Sequence, residues 1–182
     1  LNCDQIDEVV VSTDDEKIAR IAQKAGAKIV KRPSELATNT ATTESAIHHY
    51  LNKFSKKPDI VVLLQATSPL RPKGSLDAAL NHFIKGGFDS LLIIFPTHRF
   101  FWRVKGDQTA YAEYDYLNRP RRQDMLPENM RYLENGGPYV FTTSQFETSG
   151  NRLGGKIGYV EWPEEYSIEI DTQLDFDMVE KL

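Results

Sequence analysis

The chain has 182 residues, of which 40% are apolar and 26% charged, with a formal net charge of −4. That is the length of one domain with the composition of a soluble globular protein, and its acidic balance argues against a protein whose main work is on nucleic acid. Cys3 is the sole cysteine, so no intrachain disulfide forms. A reducing cytoplasm is expected, and neither a signal peptide nor an apolar run of the ~20 residues that span a bilayer is visible.

Glu8 to Ser12 predicts a first strand. Thr13-Asp14-Asp15-Glu16 has the form of a capping box with Thr13 at the N-cap. It opens a helix to about Ala25, with Ile18, Ile21 and Ala22 on one face and Gly26 as its stop. Ala27 to Lys31 reads as a short strand broken by Arg32-Pro33, which completes a βαβ unit. The polar run PSELATNTATT leads into a helix from Thr43 to Phe54, lined by Ala46, Ile47, Tyr50 and Leu51. Ile60 to Leu64 is apolar without alternation, which predicts a strand buried on both faces, as in a parallel sheet covered by helices. Lys73 to Lys85 predicts a helix with Leu76, Ala79, Leu80 and Phe83 inward, and Ser90 to Phe95 another buried strand.

From Pro96 to Asp124 the helical period disappears and aromatics accumulate: Phe100, Phe101, Trp102, Tyr111, Tyr114 and Tyr116. So much apolar surface on a long excursion predicts a dimerisation arm; the alternative is a small β-hairpin on the monomer turning at Gly106-Asp107. Asn135-Gly136-Gly137-Pro138 is a tight turn before the strand Tyr139 to Phe141. Ser144 to Thr148 predicts a helical turn, Lys156 to Glu161 a strand, Ser167 to Asp171 an alternating strand, and Thr172 to Leu182 a closing helix with Leu174, Met178 and Leu182 on one stripe. No repeat or domain boundary is visible, so residues 1–182 read as a single domain with the arm, about 96–124, inserted in it.

The chemistry concentrates at three places. LLQATSPLR ends the 60–64 strand, and in open α/β sheets ligands bind outside the carboxyl ends of strands. Gln65, Thr67, Ser68 and Arg71 therefore stand where a polar or anionic ligand would lie. Glu169 and Asp171, two apart on a strand, share a face. Convergent carboxylates repel unless a cation sits between them, and Mg²⁺ suits oxygen donors, although a solvated outer face explains the same pair. Arg119, Arg121, Arg122 and Arg131 suit carboxylate or phosphate, or else form a surface cluster paired with Asp124, Glu128 and Glu134. No zinc spacing, GxSxG or Walker A loop is present, and the adjacent His48 and His49 read as structural.

Taken in order, VSTDDEKIARIAQKAGAKIVKRPSELATNTATT, LLQATSPLR, RPRRQDMLPENMRYLENGGPYVF and SIEIDTQLDF resemble the acylneuraminate cytidylyltransferases, and they cover most of the chain. The resemblance implies a three-layer α/β/α Rossmann-like nucleotidyltransferase fold and a homodimer without nucleic-acid or membrane partners. It implies transfer of CMP from CTP to the anomeric hydroxyl of a 2-keto-3-deoxy nonulosonic acid, with Mg²⁺ (or Mn²⁺) as cofactor. It casts Arg32, Asn39 and Thr43 as cytidine-side contacts. Gln65, Thr67, Tyr139, Asn135 and Arg152 fall on the sugar-acid side, and Arg122 is the arginine for the sugar carboxylate. Asp171 and Glu169 become the metal pair, with glutamate where the family normally has aspartate. Asp171, Arg122 and Gln65 are the catalytic set.

Two alternatives stand beside this reading. One is a cytidylyltransferase for legionaminic, pseudaminic or octulosonic acid; the other is a silent nucleotide- or sugar-binding homologue. Octulosonate enzymes carry an acidic residue after the equivalent of Gln65, and Ala66-Thr67 has none. The family also begins with a strand and a glycine-rich basic loop that cradles the triphosphate, and the chain starts beyond that point. Burying ~5 apolar side chains in such a strand at ~1.5–3 kcal/mol each gives roughly 7–15 kcal/mol, which rivals a domain's net stability. The expectation is an amino-terminally incomplete domain: either a further segment precedes residue 1, or the chain folds poorly alone and catalyses weakly or not at all.

Overall fold

The computed structural model describes residues 3–126 and 130–182. β1 (Val10–Thr13) and β2 (Lys28–Lys31) are joined by α1 (Glu16–Lys24) and pair in parallel, Val10 opposite Lys28. The βαβ unit is therefore as expected, but its cap is not. Asp15, not Thr13, is the N-cap, and its carboxylate accepts from the amides of Lys17 (2.6 Å) and Ile18 (2.8 Å). Thr13 instead accepts from the Asp15 amide. The carboxylate two residues closer to the helix satisfies two free N–H groups at once, which a threonine hydroxyl at position 13 cannot reach.

The main sheet is built on β4 (Ser90–Thr97). One edge of β4 pairs in parallel with β9 (Ile157–Glu161). The other edge pairs antiparallel with two strands in succession. Leu91 faces Val140 of β8 (Tyr139–Thr142), and Ile94 to Thr97 face β7 (Arg131–Glu134). β8 also pairs antiparallel with β3 (Ile60–Leu63), placing Leu63 opposite Tyr139. The sheet is thus mixed, and β3 is half-buried along its length rather than buried on both faces, because β8 is its one strand partner among the described residues. Pro96 lies within β4, but β9 has already ended opposite Ile94, so the missing N–H faces no ladder on that side.

Helices cover both faces of this sheet. α3 (Ser75–Gly86) places Ala79, Leu80 and Phe83 against Leu91, Ile93, Val140 and Trp162. α2 (Thr43–Leu51) and α4 (Thr143–Ser149) place Ile47, Leu51 and Phe146 against Tyr139 and Phe141. The period-2 alternation along β8 sends Val140 to one core and its neighbours to the other. The expected three layers result.

Within the 96–124 segment a small β-hairpin forms. β5 (Trp102–Val104) and β6 (Ala110–Ala112) pair antiparallel around Gly106-Asp107, with Trp102, Tyr111 and Tyr116 exposed. Two expectations fail toward the carboxyl end. Residues 167–171 form no strand; besides the local bond from the Ser167 amide to Glu164 O, one main-chain bond among the described residues, from the Ile170 amide to Thr67 O (2.8 Å), ties them down. α5 runs only from Gln173 to Val179, with Leu174, Met178 and Leu182 exposed. Likewise α2 ends at Leu51, leaving Phe54 outside, and Ile18 and Ile21 of α1 face solvent. Among the described residues no helix is long and apolar enough to cross a membrane.

Candidate active site

β7 and β8 lie end to end along β4, and the turn between them leaves the sheet at Asn135. The Asn135 amide still donates to Ile93 O (2.9 Å), while its side chain donates to Tyr166 O (3.2 Å) and is 2% exposed. Asn135 is thus a bracket that fixes the turn. The chain then passes through Gly136 and Gly137 to Pro138 and enters β8 beside the end of β3.

Gly136 is the centre of the site. A Cβ there would collide with Ser68 Oγ and come within 2.5 Å of Glu169 Oε1 and 2.9 Å of Gln65 Oε1. Glycine is required because three polar side chains converge on its face. Its amide donates to Glu169 Oε1 at 2.7 Å, and the Ser68 hydroxyl donates to the same oxygen at 3.4 Å. The loop after β3, the Asn-Gly turn and the 167–171 segment are thereby knitted together. Gln65 lies in that cluster and Thr67 holds Ile170 through its carbonyl, as their position at the strand end predicts.

Asp171 lies beside this cradle, exposed, and its carboxylate accepts no hydrogen bond among the described residues; Asp175 instead caps α5 and takes the Asp171 and Thr172 amides. Among the described residues no group of three acidic, histidine or cysteine side chains surrounds a common point. Asp171 offers one hard oxygen donor there.

Tyr139 and Arg152 belong to a second cluster on the α2 face. The Tyr139 hydroxyl donates to Glu134 Oε1 at 2.5 Å, and the Arg152 guanidinium lies 4.5 Å above its ring and pairs with Glu44 at 2.5 Å. Tyr139 is 2% exposed. Burial, reinforced by the hydrogen bond to Glu134, pushes its phenol up to about 12. Burial pulls Arg152 down, but the Tyr139 hydroxyl and Glu44 outweigh it and hold the guanidinium above its ordinary value. Arg152 Nε is buried without a partner among the described residues. Tyr139 thus serves as a floor for Arg152, which is the member of the pair with a donor to spare. Glu44 and Glu134 are absent from the sequence-based set. Glu44 is a first-turn acid of α2 whose partner is 108 residues away, beyond any local sequence pattern.

Of the residues expected on the cytidine side, Arg32 follows β2 with its Nε buried and, among the described residues, unpartnered; Ser12 Oγ in β1 is likewise unpartnered. Asn39 lies exposed in the connection to α2, and Thr43 is the first residue of that helix. None of Arg32, Asn39 and Thr43 is hydrogen-bonded to the Gly136 cradle among the described residues.

The arginine cluster divides. Arg119 stacks on Phe100 at 4.3 Å, and Arg121 pairs with Asp124 at 2.5 Å. Arg131 does not join them; Glu113 of the hairpin region takes it, together with Arg103. Glu134 is engaged by Tyr139, and Glu128 lies outside the described residues. Arg122 stands exposed in a short 3-10 turn (Arg122–Asp124), on an open groove of about 660 Å³ shared with His98, Arg99, Phe100 and Trp102.

This geometry meets known proteins at three points. The family model described as cytidylyltransferase matches residues 1–146. N-acylneuraminate cytidylyltransferase of Oncorhynchus mykiss is 33% identical over 181 residues, 97% of this chain and 40% of that protein. N-acylneuraminate cytidylyltransferase A of Danio rerio is 35% identical over 178 residues, 95% and 40% respectively. The chain therefore spans about 40% of the length of these curated relatives. Among solved structures, CMP:2-keto-3-deoxy-manno-octonic acid synthetase complexed with CTP superposes with a TM-score of 0.60 at 16% identity, covering 99% of this chain and 84% of that one. A mixed sheet with helices on both faces, a polar loop closing the end of β3, and a family match over most of the sequence agree, and the chain belongs to the cytidylyltransferase family.

Proposed function

We propose that the protein transfers CMP from CTP to the anomeric hydroxyl of a nonulosonic acid, N-acetylneuraminate or a near relative, and releases pyrophosphate. The observation that carries this reading is the convergence of Gln65, Ser68 and Glu169 on Gly136 at the end of β3, in a chain of this family. The two relatives named above add the choice of sugar acid. The proposal includes a homodimer formed through the exposed aromatic hairpin, and a cytoplasmic setting that suits the single thiol.

The hydroxyl oxygen attacks the α-phosphorus, the bond from that phosphorus to the bridging oxygen breaks, pyrophosphate departs and the hydroxyl proton passes to solvent. The work left to the protein is positioning and charge neutralisation. Asp171 is the residue that would hold Mg²⁺, which supplies charge neutralisation at the phosphates when bound. Arg122 supplies a planar cation for the sugar carboxylate, and Gln65 offers an amide to the sugar hydroxyls. Arg152, fixed on Tyr139 and Glu44, adds a second cation on the sugar side. Pyrophosphate release from CTP and Mg²⁺ tests the reading. Release that depends on added N-acetylneuraminate and matches CMP-sugar mole for mole is expected. The absence of both pyrophosphate release and CTP binding would overturn it.

A further inference from the structure

Glu169 occupies the first position of an acidic pair that the sequence reads as a metal site, yet its Oε1 is already committed. It accepts the Gly136 amide at 2.7 Å and faces the Ser68 hydroxyl at 3.4 Å. Ser68 is 8% exposed while Glu169 itself is exposed, so this contact is part-buried at the rim of the site. The neighbouring Ile170 amide donates to Thr67 O. A side chain bond and a main-chain bond from adjacent residues therefore pin the 167–171 segment to two loops, one after β3 and one between β7 and β8. The segment has no other regular pairing, which is why it is no strand. Asp171, two residues on, carries none of these ties.

We propose that Glu169 is a positioning residue and not a metal ligand: its carboxylate fastens the 167–171 segment to the Gly136 amide and Ser68, which sets the Asn-Gly turn against Gln65 and leaves the cation to Asp171. Aspartate is one methylene short of this reach, so glutamate at 169 is a requirement of the latch. The proposal rests on the nucleotidyl-transfer reading only for what the turn positions; the latch itself is independent of it.

The test separates charge from reach. Glutamine at 169 keeps an acceptor oxygen at the same distance but removes the charge a cation needs. Aspartate keeps the charge but not the reach. In ¹⁵N-labelled protein, hydrogen exchange of the Gly136 amide reads the latch, and electron paramagnetic resonance of Mn²⁺ added with CTP reads the cation. Glu169→Gln is expected to leave Gly136 exchange and Mn²⁺ affinity each within about threefold of wild type. Glu169→Asp is expected to speed Gly136 exchange more than tenfold and raise the sugar-acid KM at nearly constant Mn²⁺ affinity. Asp171→Asn is expected to weaken Mn²⁺ at least tenfold while Gly136 stays protected. Loss of Mn²⁺ in Glu169→Gln equal to that in Asp171→Asn overturns the proposal, as does unchanged Gly136 exchange in Glu169→Asp. If wild type binds no Mn²⁺ with CTP, the nucleotidyl-transfer reading fails, and Gly136 exchange across Glu169→Gln and Glu169→Asp still decides the latch.

Discussion

Tyr139→Phe probes the second cluster, and the expected result changes sign with pH. In the wild type the hydroxyl donates to Glu134 at 2.5 Å from a residue 2% exposed. A hydrogen bond to a charged group contributes about 1.5–3 kcal/mol. Glu134 is itself exposed and can recruit water when the hydroxyl is removed, so the loss at pH 7 falls at the low end, about 1–2 kcal/mol. The alkaline side works in the opposite direction. The phenol's value rises from 10.0 to about 12 on folding, which corresponds to about 2–3 kcal/mol. Because the folded value is raised, that stability is fully present below pH 10 and is lost as pH climbs through 12. Phenylalanine carries no proton to lose. The wild-type advantage should shrink above pH 10, vanish near pH 11 and invert beyond it. Urea unfolding of both proteins, followed by the fluorescence of buried Trp162 and recorded in pairs at each pH, isolates the effect, since the other tyrosines are common to both. A gap between wild type and variant that stays constant from pH 8 to 11.5 would refute the assignment of the buried, Glu134-bonded phenol.

Three further outcomes follow from the geometry. Gly136→Ala places a methyl against Ser68, Glu169 and Gln65, and should cost roughly 1–3 kcal/mol in urea unfolding while raising the sugar-acid KM more than that for CTP; an unchanged KM would separate the cradle from substrate. Arg122→Ala should raise the sugar-acid KM about ten- to hundredfold, the equivalent of one charge-assisted hydrogen bond, with CTP binding intact. Asp15→Ala removes the carboxylate that takes the Lys17 and Ile18 amides and should destabilise α1 by about 1 kcal/mol, with Asp15→Asn close to wild type in circular-dichroism melts.

Where one residue type answers one local demand, the sequence alone was informative. The apolar stripe Leu76, Ala79, Leu80, Phe83 names the buried face of α3, and all but the half-buried Leu76 are fully covered. The strand Tyr139 to Phe141 and the abrupt polar end at Gln65 were equally legible. The failures share a cause. Ile18, Ile21, Leu174 and Met178 follow a helical period, but period states which residues share a face and not whether anything covers it. Ile60 to Leu63 reads as doubly buried from composition, whereas burial is set by the number of neighbouring strands. At the site, Arg131 and Arg122 look alike as letters. Glu113, brought close by the hairpin, neutralises one and leaves the other on the groove.

Glu169 shows the same limit in a sharper form. Alternation in Ser167 to Asp171 predicts a strand, and a strand predicts two carboxylates on one face. In the fold a single main-chain bond replaces the ladder, so nothing forces the two side chains to agree. Their lengths then decide. The longer chain reaches an amide 33 residues away and a hydroxyl 101 residues away, and the shorter one accepts no hydrogen bond among the described residues. Any chain of this family with aspartate at the first position lacks that reach, so its Asn-Gly turn must be held by other bonds or move more freely. Exchange of the glycine amide in such a chain should be faster than in this one by about the factor that Glu169→Asp produces here, and a glycine equally protected there would mean that the turn is rigid without the latch.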